Sequence, residues 1–422
     1  MAPQWQLWER ILLRVGFLFL PMQEGPQTIA WYGLILALLV RDKNWIFSSV
    51  HRRRWMMLVT AILLLALAVG TVAAFWHGYD FRSSKASRVF SGFAVVLGLK
   101  LVVDNNQDEW RACWWFFLAG LGLSCLAGLS QYFFGSFPFE HLWHDPARGW
   151  QGQLYIPGTQ TPCASGLHRN RMRFAEILIM SFIMLFSYRG PIWKMMSPWA
   201  VVVVASITAL TAYLTHSWMA VYVSLGGWLL TFVLKSTRQL WIAKFAMLGS
   251  VIGMFLVPII GSVLRASEKS PALATGKLEV RQWLWSTGLD GFMESPIIGK
   301  GFGGYGQWAI EYLGINASNI RDPHSWWIAT SAQAGTAGIL VMAMISAIFL
   351  VFAWRIKQDD LLTHLAPGHA EVLAACCALM VMGMVQDVFF YHGFAQFSWV
   401  IVGLALGLAS KERVEENQVG DG

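Results

Sequence analysis

Two neighbouring stretches hold the residue types that chemistry needs. Gly299-Lys300-Gly301-Phe302-Gly303-Gly304-Tyr305-Gly306 is followed by Arg321-Asp322-Pro323-His324-Ser325-Trp326-Trp327. Both lie in a polar interruption of an otherwise apolar chain. An imidazole that is neutral near pH 7 can accept a proton from a hydroxyl, and His324 stands where an apolar helix is about to begin. Trp326 and Trp327 could stack on sugar rings, or they could belong to the aromatic belt of a membrane interface. The glycines read as a flexible turn that lets backbone approach a ligand. No strand precedes them, and their spacing does not make a P-loop.

The basic residues around these stretches suit an anion. Lys277-Leu278-Glu279-Val280-Arg281-Gln282-Trp283-Leu284-Trp285 reads as an amphipathic helix lying along a membrane. Farther upstream, His168-Arg169-Asn170-Arg171-Met172-Arg173 precedes another apolar run. Asn170 could cap that helix, whose free N–H groups attract anions. Arg169 and Arg173 are four apart and repel each other unless an anion or Glu176 joins them. Guanidinium forks match phosphate oxygens; solvated loop charge and attraction to lipid headgroups are the alternatives.

The elements that must position these groups are membrane helices. The chain has 422 residues, of which 56% are hydrophobic and 13% charged, where soluble chains carry about a quarter charged. Apolar runs of about 20 residues recur along it. We read spans near 9–24, 28–41, 55–75, 88–103, 112–134, 172–188, 197–214, 217–234, 240–262, 330–354, 369–390 and 393–410. The expectation is an all-α polytopic membrane protein with about twelve transmembrane helices, forming a single transmembrane domain over 1–422. Two long loops interrupt it, at 135–171 and 263–329. No cleavable signal peptide is evident.

Lys and Arg crowd the short loops on one side, including Arg52, Arg53, Arg54, Arg189, Lys194, Lys235 and Arg355, which places both termini in the cytoplasm. On that topology Glu176, His216, Asp387 and His392 fall in the outer half, around a polar cavity opening outward. Arg14 and Lys100 lie near cytoplasmic ends, where snorkelling accounts for them. Cys113, Cys125, Cys376 and Cys377 lie in apolar spans and leave Cys163 alone in a loop, so the thiols read as structural. No Cys/His ligand cluster and no Asp-x-Asp pair appears, which favours metal-free chemistry. No cofactor and no nucleic-acid partner is expected; membrane lipids are.

The order of motifs resembles the O-antigen ligase and polymerase superfamily. The resemblance rests on Arg281 with Trp285, Pro296-Ile297-Ile298-Gly299-Lys300-Gly301-Phe302-Gly303, Pro323-His324-Ser325 and Ala334-Gly335-Thr336-Ala337-Gly338-Ile339-Leu340. It is close over about 276–340 and looser elsewhere. Gln333-Ala334 stand where many members have a Glu before the Gly. His216-Ser217 stand where many have an Arg at the outer turn, so that Arg's role is kept, moved to another Arg, or taken by His216.

The resemblance implies a GT-C-like, all-helical glycosyltransferase of a Gram-negative inner membrane, with helical loops and a site facing the periplasm. It would move O-antigen polysaccharide from undecaprenyl pyrophosphate to a sugar of lipid A–core oligosaccharide, by metal-independent inverting transfer. On this reading His324 activates the acceptor hydroxyl. Arg281, with Arg265, Arg321, Arg169, Arg173 and His216, holds the pyrophosphate, and His168, Trp326 and Trp327 meet the acceptor. An O-antigen polymerase or a protein O-oligosaccharyltransferase using the same donor are the alternatives. A transporter or flippase would show internal repeats and helices broken near the midplane.

Overall fold

The structure, a computed structural model, describes residues 5–22, 24–48, 50–81, 86–104, 106–136, 155, 161–168, 171–187, 189–265, 277–313, 323–358, 361, 368–386, 388–389 and 394–419. Among these the secondary structure is helical, apart from one isolated antiparallel bridge between Tyr155 and Pro162. In chain order the α-helices are α1 (Leu7–Phe19), α2 (Glu24–Arg41), α3 (Lys43–Ser48), α4 (Val50–Trp76), α5 (Val95–Asp104), α6 (Gln107–Phe134), α7 (Arg171–Met184) and α8 (Ile192–Met195). There follow α9 (Pro198–Leu214), α10 (Trp218–Thr237), α11 (Leu240–Arg265), α12 (Lys277–Glu294), α13 (Gly304–Leu313), α14 (Trp326–Arg355), α15 (His369–Gly383) and α16 (Phe394–Val419). Each apolar run read from the sequence holds a helix among its described residues; the fourth opens as a 3-10 turn over Ser87–Ala94, and the helices in the first, sixth and eleventh end early, at Phe19, Met184 and Gly383.

Among the described residues, five helices, α4, α6, α10, α11 and α14, are long and apolar enough to cross a membrane, and α9, α15 and the apolar part of α16 are shorter. The protein is a multi-pass membrane protein. Local chemistry sets several boundaries. Asn106 caps α6 by accepting from the Asp108 and Glu109 N–H groups, and Gly135 ends it in the left-handed region. Ser197 caps α9 ahead of Pro198.

Helix direction sorts the charged residues into two ends. At one end, the ammonium of Lys235, closing α10, donates to the Glu371 carboxylate that opens α15, and Ser187 Oγ donates to the same oxygen at 3.1 Å. Arg14 grips Glu109 through two hydrogen bonds of 2.9 Å each. Lys100, 0% exposed, lies 3.5 Å from Asp42 and 3.2 Å from Asp104, with the Trp5 and Trp45 rings against its ammonium. Snorkelling is therefore not what accommodates Lys100: its charge stays inside, matched by carboxylates. Lys235, counted above as a loop cation, is buried in the same manner.

Toward the other end, α14 is broken. Gly335 has φ 55° and ψ −137°, a conformation closed to residues with a Cβ. The break frees backbone groups, and the glycine turn takes them up. Lys300 N–H donates to Ala332 O at 2.8 Å, Gly301 N–H to Gln333 O at 2.9 Å, and Thr336 N–H to Pro296 O at 2.9 Å. A Cβ at Gly299 would stand 2.6 Å from the Gly335 nitrogen, so the two chains meet backbone to backbone. On its far side the turn is tied to α4, with Phe302 N–H donating to Gly70 O and His77 Nε2 donating to Gly299 O. The backbone that this turn approaches is the protein's own, a correction to the ligand-approach expectation.

Candidate active site

His324 is exposed and holds φ 52°, left-handed backbone that a non-glycine residue seldom adopts. The residues on either side of it, Pro323 and Ser325, are buried. Pro323 is pressed against α12 at Gly288, where any Cβ would stand 2.9 Å from the proline Cβ and 2.4 Å from Ile328 Cγ2. A missing side chain thus fixes the His324 turn directly on α12. Arg281 lies two turns earlier on that helix, and a repeat of seven residues returns to nearly the same face. Between them Trp285 is buried against Gly261 of α11, one turn before Arg265.

Arg281 is partly buried and pairs with no carboxylate among the described side chains. Burial lowers its pKa from the usual arginine value, yet a guanidinium stays protonated at neutral pH. Its neighbour in the loop, Lys300, is different: Glu294 takes its charge at 2.7 Å, and Trp308 Nε1 donates to the same oxygen at 2.9 Å.

Residues 163–168 and 171–173 pack at the same end. Ala164 N–H donates to Leu214 O, and Arg171 Nη1 donates to Thr215 O at 2.7 Å and His216 O at 3.1 Å. Arg171 therefore clamps the turn between α9 and α10, where His216 also holds a left-handed φ of 51°. Sequence reading missed this clamp, because nothing local links residues 44 positions apart. Arg173 is buried and bonded to Glu176 at 2.8 Å and 3.0 Å, the pairing that was weighed above against an external anion. His168 is buried against Phe174, with ring centroids 5.9 Å apart. Burial lowers its pKa to about 4; the Pro21 carbonyl opposes the shift and Arg173 adds to it.

Trp326 is 0% exposed and stacked on Phe389 at 4.0 Å, and Trp327 is buried against Phe255 at 5.8 Å. These rings pack inside the bundle and offer no open face to a sugar. Arg169, Arg321, Asp387 and His392 lie outside the described residues, as does the Arg265 side chain. The structure thus brings Arg281 and His324 onto one packed unit, and sets His168, Arg171, Arg173 and His216 around another. All five cysteines are buried thiols. Among the described residues, no three His, Cys, Asp or Glu side chains stand close enough to hold a metal ion.

Beside the His216 turn lies an apolar cavity of about 500 Å³, walled by α7, α9 and α10 with Phe182, Ala205, Tyr213, Ala220 and Trp228 in its lining. It runs from Tyr213 and Ala220 down the bundle. A cavity of that size and character suits a hydrocarbon chain.

No curated protein matches the chain. Residues 200–343 match the family model described as O-antigen ligase, a stretch that contains the His216 turn, Arg281, the glycine turn, His324 and the broken helix. Over that stretch, the chain is similar to the O-antigen ligase family.

Proposed function

We propose that the protein is an O-antigen ligase of a Gram-negative inner membrane, transferring polysaccharide from undecaprenyl pyrophosphate to a sugar of lipid A–core on the periplasmic side. The observation that carries this reading is Arg281: a half-buried guanidinium with no described acid partner, on the helix against which the His324 turn is wedged. A buried charge without a partner is costly. An anion in the substrate offsets that cost, and pyrophosphate supplies one.

In the mechanism, His324 takes the proton of the acceptor hydroxyl as it attacks the anomeric carbon. The bond from that carbon to the pyrophosphate oxygen breaks, with inversion. Arg281, assisted by Arg265 and Arg321, stabilises the charge that grows on the leaving oxygen. Exposure suits His324 to meet a second substrate, and its left-handed backbone is the kind of strain that functional sites hold. Arg169 and His216 serve the donor from the other unit. Arg173, with its charge matched by Glu176, has a smaller part, and His168 shapes the wall without contact. The apolar cavity beside α10 accommodates part of a polyprenyl tail.

The test is a reconstituted reaction with lipid-linked glycan and lipid A–core, with and without EDTA, followed by mass analysis of the glycan acceptor. Glycan attached to lipid A–core, insensitive to EDTA, is the expected product. Glycan added to glycan would make the protein a polymerase, and glycan on a protein would make it an oligosaccharyltransferase.

A further inference from the structure

The half of α14 that follows the His324 turn, residues 326–334, is held at both ends. At its start Pro323 is pressed on Gly288 of α12. At its end the break at Gly335 opens carbonyls, and the Lys300 and Gly301 N–H groups of the glycine turn fill them at Ala332 and Gln333. The turn is therefore the second support of the half-helix that begins beside His324. It is made of residues poorly able to hold a shape alone. Gly299, Gly301 and Gly303 have φ of 72°, 85° and 96°, and glycine loses more freedom on ordering than any other residue. Groups outside the turn have to fix it.

That support comes from α4. The turn lies wedged between two helix backbones: a Cβ at Gly301 would stand 2.3 Å from the Ala74 nitrogen, and one at Gly299 2.6 Å from the Gly335 nitrogen. Gly70 O accepts from Phe302 N–H at 2.9 Å, a backbone bond that no particular side chain supplies. His77, one residue past the end of α4, adds a side chain, donating from Nε2 to Gly299 O at 3.1 Å. Its ring is half-buried and stacked on Tyr79, with centroids 5.8 Å apart, which orients the imidazole. Ser295 Oγ donates to the same Gly299 O at 2.9 Å. Removing the His77 donor therefore strands no carbonyl, and the bond can be lost without the usual cost of an unsatisfied group.

We propose that His77 is a positioning residue for His324, acting through Gly299, the glycine turn and the half-helix. The His77 bond fixes the turn against α4, the turn fixes the carbonyl end of residues 326–334, and that half-helix sets where the His324 imidazole stands. A helix of this length is stiff and about 13 Å long, so a tilt at one end is carried to the other. A displacement of about 1 Å at a reacting group can cost about 100-fold in rate. The part of His77 in transfer rests on the reading above that His324 activates the acceptor hydroxyl; its hold on the half-helix does not.

The experiment compares His77→Phe, which keeps a ring on Tyr79 and loses the donor, with His77→Gln, whose side-chain N–H can still reach Gly299 O. Full-length chains in dodecyl maltoside are assayed for glycan transfer and, in the same preparation, for amide hydrogen exchange by mass spectrometry. His77→Phe should lower kcat about 10- to 100-fold and leave KM for the lipid-linked glycan unchanged. Its amides at 300–302 and 326–336 should exchange about 2- to 10-fold faster, the loss of one hydrogen bond, while those of α6 keep the wild-type rate. His77→Gln should restore both kcat and exchange. Wild-type exchange over those segments in His77→Phe, a raised KM with kcat intact, or a His77→Gln chain no better than His77→Phe would overturn the proposal. A wild-type chain that transfers no glycan to lipid A–core would instead overturn the ligase reading, and the exchange comparison alone would then decide whether His77 holds the half-helix.

Discussion

At one end of the bundle the buried cations are matched by carboxylates: Lys235 by Glu371, Arg14 by Glu109, and Lys100 by Asp42 and Asp104. At the other, Arg173 and Lys300 are also matched, by Glu176 and Glu294, but among the described residues Arg171 is held by backbone carbonyls, Arg281 has no acid partner, and the Ser217 and Ser325 hydroxyls have no hydrogen-bond partner. The same physical rule governs both ends, since a charge taken out of water needs compensation. One end finds it inside the chain. The other leaves Arg281 to find it in a ligand, which is how a site differs from a structural network.

The largest effect expected from breaking this contrast lies at His324. His324→Ala should lower glycan transfer by about 100- to 10,000-fold, the usual contribution of a general base. Folding should be preserved, since the side chain is exposed. Initial rates in the reconstituted reaction check this, and retained transfer would remove His324 from the mechanism.

Next in size is the opposite end. Lys235→Ala strands the Glu371 carboxylate and should cost about 3–5 kcal/mol of stability, seen as a lower unfolding temperature. Pyrophosphate affinity should not change. The double substitution Lys235→Met with Glu371→Leu should recover most of that loss, because a matched apolar pair carries no desolvation cost. If Lys235→Ala weakened pyrophosphate binding, the division between the two ends would fail.

A smaller effect concerns His168. Its pKa is about 4 in the folded chain against an ordinary 6.5, so between those values the unfolded chain binds more protons. Stability should therefore be level above pH 6.5 and fall as the pH drops toward 4, by up to about 3 kcal/mol. His168→Phe, which keeps the packing on Phe174, should flatten that part of the profile. Thermal unfolding measured from pH 7 to pH 4 decides it; an unchanged slope would mean that other groups set the acid limit.

The sequence made the helices legible, along with the segment that joins Arg281, the glycine turn and His324, because apolar run length and residue order are local properties. What it hid was pairing. Lys235 meets Glu371 across 136 positions and Gly299 meets His77 across 222, distances over which no periodicity carries information. The break at Gly335 was hidden as well: the run from 330 to 354 carries no charge to mark an interruption, and the helix opens where a remote turn supplies donors to its carbonyls. Trp326 misled because an interfacial tryptophan and a buried one look alike until Phe389 is placed on its ring.

The central claim is that the charge of Arg281 serves a substrate rather than the fold. The most direct measurement is Arg281→Met, assayed for single-turnover glycan transfer and for unfolding temperature in the same preparation. The account predicts transfer about 100- to 1,000-fold slower, with an unfolding temperature equal to or above the wild type. Wild-type transfer, or a loss of stability like that of Lys235→Ala, would contradict it.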